Sequence, residues 1–243
     1  MKQHQTKQYI AYALGEIILV VLGILIALEV NNWNDRRKYA AEARVFIEDL
    51  QADLQRDTAI FGREIRKIEK LIDYQKWGLQ TEDFSEIPVD YIQGLFITQY
   101  HNLKVNNNTF QRLKNAEVFT LRQYQGLFQQ VSTYYTFHQE YLDNFNDWET
   151  EMHRDSYQFW VEQGQYEIDF GERLQDTISI QQDPAERKQQ MVQRLQSVEG
   201  RNYLKAGLMR EKTMKAIYQR VYQKAIDILG QIEDELREEW KPK

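Results

Sequence analysis

The chain has 243 residues with 11 Gly, 3 Pro and no Cys, which leaves long intervals without a helix breaker and excludes disulfides, thiolate zinc sites and cysteine nucleophiles. The net charge of -6 falls entirely after residue 34, because Lys2, Lys7, Glu16 and Glu29 cancel before it. Nucleic-acid affinity is built from clustered Lys and Arg, so this mildly acidic body is not expected to bind nucleic acid.

Residues 1–8 read as a short leader. From Ile10 to Val30 every residue is apolar, small or aromatic except Glu16 and Glu29. At ~1.5 Å rise per residue the stretch spans roughly 30 Å, the thickness of a bilayer hydrocarbon core. The pattern predicts a transmembrane helix over 9–33. Tyr9 and Tyr12 anchor one interface and Trp33 the other, while Asn31, Asn32 and Asn34 mark the return to water. Two other readings fit part of it. The uninterrupted run Ile17–Leu28 also suits a signal-peptide core, although no small-x-small cleavage site follows, and a buried core helix would have to accommodate Glu16.

Glu16 would sit roughly 9 Å inside the apolar boundary, where a carboxylate needs a partner, water or a proton. Glu29, near the end of the span, reads as a rim charge. Ala11, Gly15, Gly23 and Ala27 fall on one four-residue ladder that lets transmembrane backbones approach, which favours self-association or contact with another membrane protein. The local count of Arg36, Arg37, Lys38 and Arg44 against Lys2 and Lys7 places the body on the cytoplasmic side of an inner membrane.

The stretch GEIILVVLGILIALEVNNWNDRRK, Gly15 to Lys38, resembles the amino-terminal hallmark GEI-x-LVV-x-GILIAL-x-x-NNWN-x-x-RK of a family of membrane proteins from Bacteroidota, domain-of-unknown-function family 6090. A second segment, NNNTFQRLKNAEVF with the later pair Tyr134 and Tyr135, is similar to the family's T-x-x-x-L-K-x-x-G and Tyr-Tyr pattern, with Ala116 and Glu117 where a Gly is usual. The resemblance implies membrane attachment and no known activity. Its usual basic leader implies an external body, the opposite of the local charge count, so the side occupied by the body stays open.

After the span, Ile47, Leu50, Leu54, Phe61, Ile65, Ile68 and Ile72 keep a three-four spacing with one slip near Thr58, which predicts a helix from Asn34 to about Leu79 that tolerates Gly62 and Gly78. A loop region near 80–108 is expected, with Pro88 opening a short helix to about Tyr100 and Asn108 or Thr109 capping the next. Leu127, Val131, Tyr134, His138, Tyr141, Phe145, Trp148 and Met152 step by four and three along one helix face, a coiled-coil-like spacing read as core packing. A second loop is expected near 164–183. DPAE at 183–186 then starts a helix, with Asp183 as cap, Pro184 at the first position and Glu186 reaching back to the cap's backbone. Gly200 is expected to interrupt it, and Met214, Tyr218, Val221, Ala225, Ile228 and Ile232 mark a last helix from Asn202 to about Glu239. Three such stripes predict an all-α protein in which the transmembrane helix continues into an antiparallel bundle of long helices over 34–243.

No residue three before a histidine is acidic, so the Glu-x-x-His signature of di-iron bundles is missing. Glu149 and His153 share a helix face and read as a surface pair, and His138 as a hydrogen-bonded semi-core histidine. There is no HExxH, phosphate loop or GxSxG elbow. No catalytic residue, metal or cofactor is therefore expected. The sequence favours a non-enzymatic, membrane-anchored scaffold or assembly subunit; the alternative is a proton- or ion-coupled transport or energy-transducing subunit that uses Glu16.

Overall fold

The computed structural model describes residues 2–116, 124–170 and 179–238, with side chains over 15–116, 124–170 and 179–237. Within them the chain is helical and contains no strand. Helix α1, Lys2–Gln80, runs without interruption for 79 residues, roughly 120 Å, so the apolar run and the first part of the body are one rod. Its upper half buries Ala43, Ile47, Leu50, Leu54, Phe61, Ile65, Ile68 and Ile72. The slip near Thr58 is not a slip. Asp57, only 2% exposed, occupies the core position between Leu54 and Phe61, and the spacing continues through a polar residue.

The partner of that stripe is α7, Val198–Glu238. Lys215 pairs with Glu69, Phe61 meets Tyr218 edge-on, and Leu204 lies beside Gly78, so the two helices run antiparallel. Gly78 makes room there for Leu95. A Cβ would stand 2.6 Å from a methyl of Leu95 on the next segment. The break before α7 falls at Ser197, not at Gly200. The Ser197 hydroxyl accepts the Gly200 backbone N–H at 2.9 Å and so opens α7, and Gly200 lies within α7 at a place where a Cβ would stand 2.0 Å from the Arg194 carbonyl oxygen.

Between these two helices, α2 spans only Val89–Gln93, shorter than expected from Pro88, and α3 spans Asn108–Lys114 with Asn107 at its cap position. Ala116 closes a turn on the Leu113 carbonyl at 3.0 Å; Glu117 lies outside the described residues. Helix α4, Gln125–Thr133, and helix α5, Gln139–Tyr157, are joined by a π-helical turn at Tyr134–His138, and a second one, Gln158–Glu162, follows α5. Helix α6, Pro184–Gln196, begins as expected, with the Asp183 carboxylate accepting from Ala185 and Glu186 N–H at 3.0 Å each. Glu186 does not reach back to the cap; its carboxylate accepts from Gln190 instead.

The π turn overturns half of the aromatic stripe. A π turn holds an extra residue, which rotates everything after it. Leu127, Val131, Tyr134 and His138 are buried as expected, but beyond the turn the buried set moves on by one residue to Leu142, Asn146 and Glu149. Tyr141, Phe145 and Trp148 become a half-buried flank. The apolar core is divided accordingly: a long cluster between α1, α4 and α7, and a far-end cluster in which α2, the second π turn and α6 gather Phe96, Phe159, Trp160 and Met191.

Candidate functional site

The residues singled out in the apolar run stand apart from everything else in the fold. Every residue from Gly15 to Val30 is exposed, and the most apolar stretch is covered by no part of the described chain. By length and composition this is one helix able to cross a membrane, and its exposure rules out the reading as a buried soluble core helix. Glu16 has no hydrogen-bond or ion-pair partner among the described residues. A Cβ on Gly15 or Gly23 would meet nothing within 4 Å, and Ala27 is exposed, so no described part of this chain packs on the small-residue ladder. Tyr9, Ala11 and Tyr12 lie on the helix, but their side chains are outside the described residues. At the end of the apolar run Glu29 pairs with Arg36 at 2.5 Å, and the Arg37 guanidinium lies 5.4 Å from the ring of the exposed Trp33.

The other polar concentration lies deep in the body. Residues 98–107 form no helix, yet the segment threads among helices with His101 1% exposed. Buried backbone polar groups outside helices need partners. Side chains supply them: Glu149 accepts the His101 N–H at 3.1 Å, Tyr218 the Leu103 N–H at 3.3 Å and Asp57 the Asn106 N–H at 3.2 Å. Asn146 donates to the Leu103 carbonyl at 3.0 Å, and Arg210 to the Gln99 carbonyl at 3.2 Å. The extra residue in the π turn is what brings Asn146 and Glu149 inward to meet this strap.

Around His101 the charges nearly balance. Its Nε2 lies 2.7 Å from Glu211 and its Nδ1 3.1 Å from Glu64; Arg210 is 2.9 Å from Glu211 and 3.4 Å from Glu149. Lys67 meets Glu64 at the rim. Burial alone would push His101 toward its neutral form, but Glu211, Glu149 and Glu64 together outweigh it and raise its pKa above the ordinary histidine value. Burial likewise raises Glu149, against the opposing pull of Arg210 and His101. The expectation that Glu149 and His153 form a surface pair is overturned. Glu149 is fully buried and serves the strap, while His153 Nδ1 lies 3.2 Å from the Thr98 hydroxyl. Each carboxylate here approaches a different atom of His101 or Arg210, and among the described residues no three His, Asp or Glu side chains are grouped as ligands for a metal ion.

A second buried set closes the strap's other end. Asp57 takes the Tyr134 hydroxyl at 3.1 Å in addition to the Asn106 N–H, and Asn106 donates to Asp53 at 3.1 Å. Burial raises the Asp57 pKa to about 6, with Asp53 adding to it and the hydrogen bonds from Asn106 and Tyr134 opposing it. His138, expected to be hydrogen-bonded, has its buried Nδ1 without a partner among the described residues. Burial, reinforced by Arg220 and Lys224, lowers its pKa.

Sequence reading missed His101, Glu211, Arg210 and Asp57. A signal existed for three of them: Asp57 sits at a core position of α1, and Arg210 and Glu211 fill the core phase of α7 between Leu204 and Met214. Nothing marked His101, which lies in a segment without periodicity.

Residues 16–97 match the model of a family of unknown function, DUF6090. The resemblance to that family is therefore shown over α1 from Glu16 through α2 to Ile97, and it ends immediately before the buried strap. No curated protein and no solved structure matches the chain.

Proposed function

We propose that this chain is a single-pass, membrane-anchored, non-enzymatic assembly subunit, held by α1 in the cytoplasmic membrane and presenting its helical body to partners there. The observation that carries this reading is that the whole run Gly15–Val30 stands clear of the packed body yet joins it through unbroken helix. A rigid rod transmits position and orientation from the bilayer to the body, as a scaffold needs. Glu149, Tyr218, Asp57, Asn146 and Arg210 each hold a backbone group of the strap, and this supports a structural role for them.

Glu16 supports a specific part of the reading. A carboxylate in the apolar run without a partner among the described residues finds one in another transmembrane helix, where a polar contact holds an assembly together. Cross-linking with mass spectrometry in native membranes, comparing the parent with Glu16→Leu, tests this; links between transmembrane segments should be lost in the variant. Unchanged links would remove Glu16 from the assembly. Glu16→Gln separates the proton-coupled alternative, because it keeps the hydrogen bond and abolishes titration. Under the scaffold reading it assembles like the parent.

A further inference from the structure

Beside the α5 flank rotated outward by the π turn, α7 forms one wall of an open groove of about 620 Å³. The exposed face of α7 there alternates cations with apolar or small residues: Lys205, Met209, Lys212, Ala216 and Arg220. The groove's lining contains no carboxylate, in a protein of net charge -6. Met209 is 55% exposed, too much for a side chain that has found its packing partner.

The complementary surface is on the same body. The outward face of α5 carries Glu140, Asn144, Asp147, Glu151 and Asp155, all exposed. Among the described residues neither set of charges forms an ion pair within the chain. Their levels along the molecule are fixed by three contacts between the helices: Tyr203 stacks on Phe159 at 3.8 Å, Arg210 meets Glu149 at 3.4 Å, and Arg220 lies 5.5 Å from the Tyr141 ring. On that antiparallel register Lys205 stands level with Asp155, Lys212 with Asp147 and Arg220 with Glu140. The apolar flank and the three charge levels recur at the same heights on both faces.

Height is what decides the partner. If α1 anchors the chain, as proposed above, two copies in one membrane stand the same way up with equal levels side by side. We propose that the Lys205–Arg220 face of α7 receives the acidic outer face of α5 of a second copy. Three opposite-charge pairs then form without any shift along the membrane normal, and Met209 and Ala216 are covered. The two faces differ, so the contact is heterologous and extends to a ring or a row rather than a two-fold dimer. The same faces cannot meet themselves, because cations would then oppose cations.

The absence of cysteine makes the test clean. Two full-length chains with different tags are co-expressed in membranes, one carrying Asn144→Cys and the other Ala216→Cys, and oxidised mildly. The expected product is a mixed-tag disulfide dimer. Lys212→Glu in the Ala216→Cys chain should lower its yield about tenfold, and Asp147→Lys in the Asn144→Cys chain should restore it. Same-tag dimers, or monomers throughout, would overturn the interface and leave the groove to a different acidic partner. Flotation of the same membranes reads anchoring separately. Chains that float and stay monomeric sink the interface alone, whereas chains that cross-link without floating support the interface and sink the anchor.

Discussion

The apolar run and the buried strap invert one another. Over Gly15–Val30 the backbone is fully satisfied by helix and the side chains face outward, greasy and uncovered, with Glu16 lacking a partner among the described residues. Over 98–107 the backbone has no helix to satisfy it, and the chain surrounds it with Glu149, Arg210, Asp57, Asn146 and Tyr218. In the first region Glu16 has no partner among the described residues and Glu29 meets only Arg36 just beyond it; in the second, His101 and Arg210 each meet two carboxylates. The difference teaches where to look for partners. An ionisable group that the fold already uses reports on stability, and one that the fold leaves over reports on what lies outside it.

The comparison breaks first at Arg210. It joins Glu149, Glu211 and the Gln99 carbonyl, so Arg210→Ala removes the cation that two buried carboxylates share and the side-chain donor to a strap carbonyl. Removing one partner of a buried charge set costs about 3–5 kcal/mol. Urea unfolding of the full chain in detergent, followed by far-ultraviolet circular dichroism, should show the midpoint fall accordingly. A loss under about 1 kcal/mol, the range of exposed ion pairs, would mean that the network is solvated and the contrast false.

How far the sequence foretold these regions depends on what sets each one. The long helices and the exposed apolar run were legible because they rest on local periodicity and on the absence of breakers. The Asp183 cap was legible for the same reason, its partners being two and three residues away. The π turn was not: Tyr134–His138 keeps the heptad spacing in sequence while the backbone adds a residue to the turn, and the choice is made by packing that puts Asn146 and Glu149 against the strap. The strap was illegible for a related reason. His101 and Glu211 are 110 positions apart, and no local pattern joins them. Of the site residues named from sequence, Glu16, Gly15, Gly23, Ala27 and Trp33 lie exposed on the rod, and the partner-rich cluster had to be found in three dimensions.

The next break is at His101, and it is visible in pH. Its folded pKa lies above the unfolded value, so its contribution is fully present below about 6.5 and is lost as pH rises through the folded pKa. His101→Gln should cost about 2 kcal/mol at pH 6, the scale of hydrogen bonds to charged groups. The gap between parent and variant should narrow toward pH 9. Urea midpoints across that range test it, and a gap that widens with pH would reverse the sign assigned to the cluster. His138 and His153, whose pKa values are lowered mainly by burial, act in the opposite sense below about 6.5; His138 is common to both proteins and cancels, whereas His153 also feels the His101 charge, which the variant removes.

Asp57 is the strap's other anchor and should respond in the stabilising direction. Its pKa is raised from 3.8 to about 6, so the folded state holds the proton more tightly and stability falls as pH climbs between those values. At pH 8 the ionised carboxylate is a net cost. Asp57→Asn removes it and keeps an acceptor, and should stabilise the chain by about 2 kcal/mol there, a gain that fades toward pH 4. A variant less stable than the parent at pH 8 would show that the bonds from Asn106 and Tyr134 outweigh the burial of the charge.

The smallest effect is expected at the residue that first drew attention. Glu16 touches nothing in the described body, so Glu16→Gln should move the urea midpoint of the body by less than about 0.5 kcal/mol, the range of substitutions away from any packed or bonded feature. The result gains meaning only beside the cross-linking of Glu16→Leu in membranes. A side chain silent in the folding of its own chain but required for links between chains belongs to the assembly and not to the protomer. If Glu16→Gln instead destabilised the body as strongly as His101→Gln does, the apolar run would have to be folding against it, and the separation between rod and bundle would fail.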